Sequence, residues 1–345
     1  MQDNMFRRVA PIYLAVAGLV AATGCERKPD AAPQNRLVVY CSVDEAFGRV
    51  MLKVFKAKTG IDLDIVFDSE AGKTTGLINK IIAEAAAGRP RADVFWSSEL
   101  FNTILLARRG LLEPYDSPAA ADIPSRFRDP KHCWTSTAAR ARVLTFDPTR
   151  VSEGEVPERW EQLAEPRFAG QTAFANPLFG TTRGHVAAMF ALWGPERGRA
   201  FLTRLRDNGG YIADSNGATV RAVIGGRADL AATDTDDVWV AQRSRASLDL
   251  VYPDMGDGGT LLIPCSVAIV KGSRNLETAR KLVDFLVSAE VERMLAQSDS
   301  RNIPVRRELR GKLGIQWPPE SKISFDAVAD AMDEATAAVR EILIR

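Results

Sequence analysis

Short strand-like runs alternate with helix-like stretches from Leu37 onward, and that alternation restricts the chain to a few α/β architectures. Leu37-Val-Val-Tyr40 is an apolar run of the kind a buried strand needs. Residues 42–58 follow with Phe47, Val50, Val54 and Phe55 at helical spacing, and Ser42 with Glu45 has the pattern of a capping box. Thr59-Gly60 closes that helix, residues 61–67 alternate as a second strand, residues 75–88 return to the helical period, and Ala92-Asp-Val-Phe-Trp96 reads as a third strand. Strands and helices at this spacing imply a parallel sheet covered on both faces.

The pattern resumes after Arg140. Residues 141–146 and 172–175 read as strands, 184–193 as a helix, and 220–225 precede the strand-like Asp229-Leu-Ala-Ala232. Residues 261–264 and 267–270 read as two further strands, 276–296 as one amphipathic helix, and 327–343 as a terminal helix. Two α/β lobes joined by two or more crossovers accommodate this order. Ligands of open α/β sheets bind beyond the carboxyl ends of the strands, which selects residues 42–45, 68–75, 97–99, 176–182 and 233–237.

The first 25 residues read as an export leader. Arg7 and Arg8 form a basic start, residues 11–22 an apolar run too short to span a bilayer, and Ala22-Thr-Gly-Cys25 resembles a bacterial lipobox. The expectation is a signal peptide over 1–24, lipidation at Cys25, and a polar, Pro/Ala-rich tether over 25–35. Removing residues 1–24 takes away two Arg and one Asp, so a formal charge of +1 becomes 0 and no electrostatic footprint for nucleic acid remains.

Catalysis finds little support. There are two histidines, His132 and His185, and the cysteines beyond Cys25 (Cys41, Cys133 and Cys265) lack CxxC spacing, so neither a zinc site nor a disulfide framework is indicated. Asp234-Thr-Asp-Asp-Val238 matches the D-x-D-x-V core of haloacid-dehalogenase-type phosphatases, but it lies two-thirds along the chain instead of at the first strand. Gly72-Lys-Thr74 is not a phosphate-binding Walker loop, because Phe67 stands where the first glycine belongs. The expectation is a binding protein with no catalytic cofactor.

The segments Val38-Val-Tyr-Cys-Ser42, Lys58-Thr-Gly-Ile61, Ala92-Asp-Val-Phe-Trp-Ser-Ser-Glu99, Gly110-Leu-Leu-Glu-Pro114, Ala139-Arg-Ala-Arg-Val143 and Ala279-Arg-Lys-Leu-Val-Asp-Phe-Leu286 resemble, in order and spacing, the ferric-ion-binding proteins of bacterial ABC importers. The resemblance implies a type II periplasmic binding fold: two lobes, each a mixed β-sheet flanked by helices, closing by a hinge over a ligand. The implied boundaries are an N-lobe over 36–143, a C-lobe over 144–267, a return to the N-lobe over 268–310 and a helical extension over 311–345. It also implies a monomer working with an ABC permease and its ATPase; with the leader, the expected place is periplasmic or extracytoplasmic, anchored to the membrane by the lipid on Cys25. A stand-alone sensor is the alternative outside transport.

The departures from that family concern the ligand. Asp236-Asp237 stand where ferric-binding members carry adjacent tyrosines, and Asp44 stands in place of a histidine, whereas Glu99 matches the family's acidic ligand. Asp44, Glu99, Asp236 and Asp237 would place four carboxylates around one cleft. Such a cluster suits iron(III) or another hard cation with all-oxygen ligation, or an amine. Gly180, Thr181 and Thr182 at a helix start, with Lys73, Thr74 and Arg140, offer an anion site. The two readings stay open: a metal ion, with or without an oxyanion, or a zwitterion or phosphate-bearing solute such as an aminophosphonate. Acidic residues are also ordinary at helix starts, so each carboxylate has a plain structural use.

Overall fold

A computed structural model describes residues 36–68, 74–244 and 246–344. The expected leader, Cys25, the tether and Lys73 lie outside the described residues.

β1 (Arg36–Cys41) leads into α1 (Glu45–Thr59), which ends at Gly60 in the left-handed region, φ 70°, where glycine carries no Cβ penalty. The capping box is not formed. Asp44 is the N-cap, and the Ser42 hydroxyl instead accepts from the Ser98 backbone N–H at 3.0 Å. β2 (Asp62–Phe67), α2 (Thr75–Ala86), β3 (Val94–Ser97), α3 (Phe101–Arg108) and the short β4 (Leu112–Glu113) complete the first part of the N-lobe. β1 pairs in parallel with β2 and β3, as the alternation predicts.

β5 (Thr135–Phe146) begins well before the predicted residue 141 and joins the lobes. β6 (Thr172–Ala175), α4 (Gly180–Trp193), α5 (Pro195–Asp207), β7 (Tyr211–Ala213), α6 (Asn216–Ile224), β8 (Leu230–Asp234), α7 (Thr235–Arg243) and β9 (Asp249–Val251) build the C-lobe. β10 (Leu262–Val270) returns to the N-lobe as one strand, not two, with its register shifting between Cys265 and Ser266. The long helix predicted over 276–296 is two, α8 (Leu276–Leu286) and α9 (Ala289–Gln297), because Ser288 caps the second by accepting from Val291 N–H. α10 (Arg307–Leu313) and α11 (Phe325–Ile342) close the chain.

The strand order β2-β1-β3-β10-β5-β8-β6-β7, with β4 beside β10 and β9 beside β5, is mixed. β10 runs antiparallel to β3 and β5, and β5 antiparallel to β8, so antiparallel pairs join the parallel ones that the alternation predicts, and the mixed sheet that the resemblance implies is present. Residues 135–141 of β5 pair with β10, and residues 142–146 pair with β8. The changeover places Arg140 and Arg142 where one sheet gives way to the other.

The C-terminal helix holds both lobes. Arg108 of α3 pairs with Asp326 and Asp330 at 2.8 and 2.6 Å, while Arg199 of α5 pairs with Glu341 at 2.6 Å. At the first residue of α11, Phe325 packs edge-on to Phe101, ring centroids 6.3 Å apart. α4 approaches α3 closely because Gly184 has no side chain. A Cβ there would lie 2.3 Å from the Phe101 ring. No helix of the described residues is long and apolar enough to cross a membrane.

Candidate ligand-binding site

Residues two apart on a strand share a face, so Arg140 and Arg142 project together from the crossover of β5. They meet the acidic residues at the junction of β8 and α7. Arg142, fully buried, donates from Nη1 to Asp234 Oδ1 at 2.8 Å and to Asn216 Oδ1 at 3.2 Å, and from Nε to His185 Nδ1 at 3.3 Å. Arg140 donates from Nη1 to Asp236 Oδ2 at 3.0 Å and from Nη2 to the Ser98 carbonyl at 2.6 Å. The last bond ties the β5 crossover to the end of β3.

The electrostatics follow from burial and pairing. Burial pushes Asp234 up, but Arg142 and Arg140, with the Thr181 hydroxyl, outweigh it and hold Asp234 below its ordinary value. Asp236 is pushed up to about 6, chiefly by burial; Asp234 and Asp44 add to the rise and Arg140 opposes it. Its Oδ1 has no hydrogen-bond partner among the described residues, and neither has Nε of Arg140. His185 is held neutral by burial and by Arg142, and its ring packs edge-on against Trp160 at 4.2 Å.

Above these pairs opens a cleft of about 490 Å³ counting its mouth. The N-lobe side contributes Asp44 and Ser98, Arg140 lies at the crossover, and the C-lobe wall is the first turns of α4 and α6. Gly180 starts α4 at φ 52°, a backbone angle that side-chain-bearing residues resist. Ser215 caps α6 by accepting from Ala218 N–H, so Asn216 and Gly217 present a second helix start beside the first. The first N–H groups of a helix have no acceptor inside it, and both dipoles here present their positive ends to the same space. Asp237 lines the cleft next to Gly217 and accepts from the Thr233 hydroxyl at 3.2 Å. Asp214 adds an exposed carboxylate to the rim.

The predicted residues separate into those the cleft gathers and those it does not. Asp44, Asp237, Arg140, Gly180, Thr181 and Thr182 line it. Asp236 lies behind, against Arg140. Glu99 does not line it: its carboxylate, fully buried, accepts from the backbone N–H of Asn102 at 3.2 Å and from the Asn102 amide at 2.9 Å, at the start of α3. Thr74, at φ 66°, is buried with its hydroxyl on Ser42 at 3.2 Å and is likewise absent from the lining. Thr181 and Thr182 are engaged with Asp234 and Asn216, at 2.6 and 3.1 Å, which leaves backbone N–H groups as the donors of that turn.

Four participants escaped the sequence reading: Arg142, Asp214, Ser215 and Asn216. A Ser-Asn-Gly sequence entering a helical stretch was the available signal for the last two. Among the described residues no tyrosine lines the cleft, and Cys133 and Cys265 are in no disulfide. Oxygens of Asp234, Asp236 and Asp237 do lie within 4.8 Å of one another.

The sequence pattern of the bacterial extracellular solute-binding proteins matches residues 90–322, more than half of the chain. The chain belongs to that family. Its members are binding components of transport, not enzymes. The Major ferric iron-binding protein of Neisseria meningitidis serogroup A is 27% identical over 291 residues, 82% of this chain and 82% of that one. Iron-bound HitA from Pseudomonas aeruginosa superposes with a TM-score of 0.78 at 26% identity, covering 89% of this chain and 99% of its own. The same fold is shared, at TM-score 0.72 and 23% identity over 89% of this chain and 97% of the other, by the periplasmic binding protein AfuA from Actinobacillus pleuropneumoniae, whose structure holds fructose-6-phosphate. The two-lobed periplasmic binding fold implied by the sequence is therefore the fold of this solute-binding protein.

Proposed function

We propose that this solute-binding protein serves an ABC importer and captures a small solute that joins a phosphate-class anion to an amine- or hydroxyl-bearing part. The observation that carries this reading is the convergence of two helix starts, at Gly180 and at Asn216, on a cleft that also contains Arg140. An anion there meets backbone N–H groups and a guanidinium. Asp44, Asp214 and Asp237 face the same space and suit the amine or hydroxyl end.

Charge counting favours a ligand of mixed sign. Arg140 and Arg142 supply two positive charges against five negative ones from Asp44, Asp214, Asp234, Asp236 and Asp237, which leaves the region at −3 when all are ionised. A bare dianion would gain little in such a field, whereas an aminophosphonate brings its own cation. On this reading the lobes close over the solute about the β5 and β10 crossovers, a lipid on Cys25 keeps the protein at the membrane, and a permease with its ATPase receives the cargo.

One observation favours iron(III) or another hard cation as a second reading: the carboxylates of Asp234, Asp236 and Asp237 are close enough to share an ion, and relatives named for ferric iron align along most of the chain. Two of the three are already paired with guanidiniums, so a metal using the Oδ1 of Asp236 would share that carboxylate with Arg140. Isothermal titration with 2-aminoethylphosphonate, a sugar phosphate and ferric citrate distinguishes the two. Saturable binding of a phosphorus-bearing solute supports the first reading, and binding of ferric ion alone supports the second.

A further inference from the structure

Phe179 borders the cleft on one side and a second, larger crevice on the other. That crevice, about 800 Å³ with its open mouth, lies between α2 and α3 of the N-lobe and the start of α4 of the C-lobe, with α11 forming its remaining side.

Its lining is amphipathic. Ile82, Leu105 and Leu178 rest on the core from one side and are half-buried, so with Phe179 they present an apolar wall to the crevice. Arg183 at its base is committed: Nη1 donates to Asn102 Oδ1 at 3.0 Å, Nε to the Thr336 hydroxyl at 2.9 Å, and Nη2 lies 3.6 Å from Asp333. Arg109 and Arg340 are not. Both line the crevice, both are exposed, and neither guanidinium has a hydrogen-bond or ion-pair partner among the described residues. Two uncommitted positive charges thus stand at the rim of an apolar wall.

We propose that this crevice is a second ligand site, taking a small anionic amphiphile: a carboxylate, sulfonate or phosphate carried on an alkyl or aryl body. The body covers Ile82, Leu105, Leu178 and Phe179, removing apolar surface from water, and the anionic head pairs with Arg109 and Arg340. Because α2 and α3 belong to one lobe and α4 to the other, an occupant bridges the lobes. Any preference it has for one lobe angle is returned, through linkage, as a change in affinity at the cleft.

Isothermal titration of the purified protein with octanoate below its micelle concentration tests this, with octylammonium as the charge-reversed control. The expected result is saturable one-to-one binding of octanoate, none of octylammonium, and at least tenfold weaker octanoate binding in the Arg109→Ala/Arg340→Ala double variant. Leu105→Asp should weaken it as well. Octanoate that fails to saturate, or that binds the double variant and Leu105→Asp as tightly as the parent, overturns the proposal. 2-Aminoethylphosphonate, the probe for the cleft, is titrated into the double variant in parallel. Its retention keeps a failure at the crevice separate from a failure of the cleft reading, since neither arginine lines the cleft.

Discussion

Arg140 donates to Asp236 across 3.0 Å beneath the cleft, and that contact changes what the acidic cluster can do. Four clustered carboxylates without a cation repel one another, which is why the sequence alone points to a metal ion or an amine. The chain supplies its own cations from β5. What remains for a ligand is the face of Arg140, the two helix starts, and the carboxylates of Asp44, Asp214 and Asp237.

Arg140→Ala leaves Asp236 buried without its guanidinium and removes the bond to the Ser98 carbonyl. Breaking one side of a buried pair costs about 3–5 kcal/mol, so urea unfolding should show a loss of that order together with the loss of anion binding. A variant as stable as the parent would mean that the pair is solvated in solution.

Asp237→Asn keeps the shape of the site and a group able to bond the Thr233 hydroxyl, but removes a charge from the lining. Stability should change by less than about 1 kcal/mol, while affinity for an amine-bearing ligand falls about tenfold or more. Titration of the variant with 2-aminoethylphosphonate and with inorganic phosphate separates the two ends of the ligand: only the first should weaken.

Asp236 gives the apoprotein a pH signature. It ionises near 6 when folded, against an ordinary 3.8, so between these values the folded state holds a proton that the unfolded chain has released. Its contribution to stability is therefore complete below about pH 4 and is lost as pH rises through about 6, on the order of 3 kcal/mol in all. Asp234 acts with the opposite sign, its contribution being lost as pH falls through its lowered folded value. Urea unfolding at pH 4, 5, 6 and 7 should show a decline in the parent that is absent from Asp236→Asn; the same decline in both would assign it to another group.

Gly184→Ala should destabilise the protein by about 1–3 kcal/mol, because the added methyl would lie 2.3 Å from the Phe101 ring and must push α4 from α3. That displacement carries the Gly180 turn with it. Thermal unfolding and ligand titration should fall together, and a neutral variant would show that the helices have room to part.

Much of this arrangement could be read in the sequence. Thr172–Ala175 stands as a strand where its pattern placed it, and Arg140, Asp237 and the Gly180 turn reach the cleft because residues just after strands, or on a crossing strand, have little choice of position. Glu99 shows the limit. Its place after β3 was legible, but the direction of its side chain depends on Asn102, a partner no strand-end rule identifies. Arg142 was hidden inside a run read only as a strand, and its role appears once β8 pairs beside it and presents Asp234. β7 is three residues long, too short to show a period, so the helix start that follows it went unread.

Thermal unfolding of the purified protein against phosphate esters, aminophosphonates and ferric ion tests the central claim most directly. A ligand at about 100 times its dissociation constant stabilises the folded state by roughly 2.7 kcal/mol, a shift of a few degrees for a chain of this size. The expected result is a shift with a phosphorus-bearing solute that Arg140→Lys and Asp237→Asn each diminish. A shift with ferric ion alone, with phosphorus-bearing solutes inert, would contradict it.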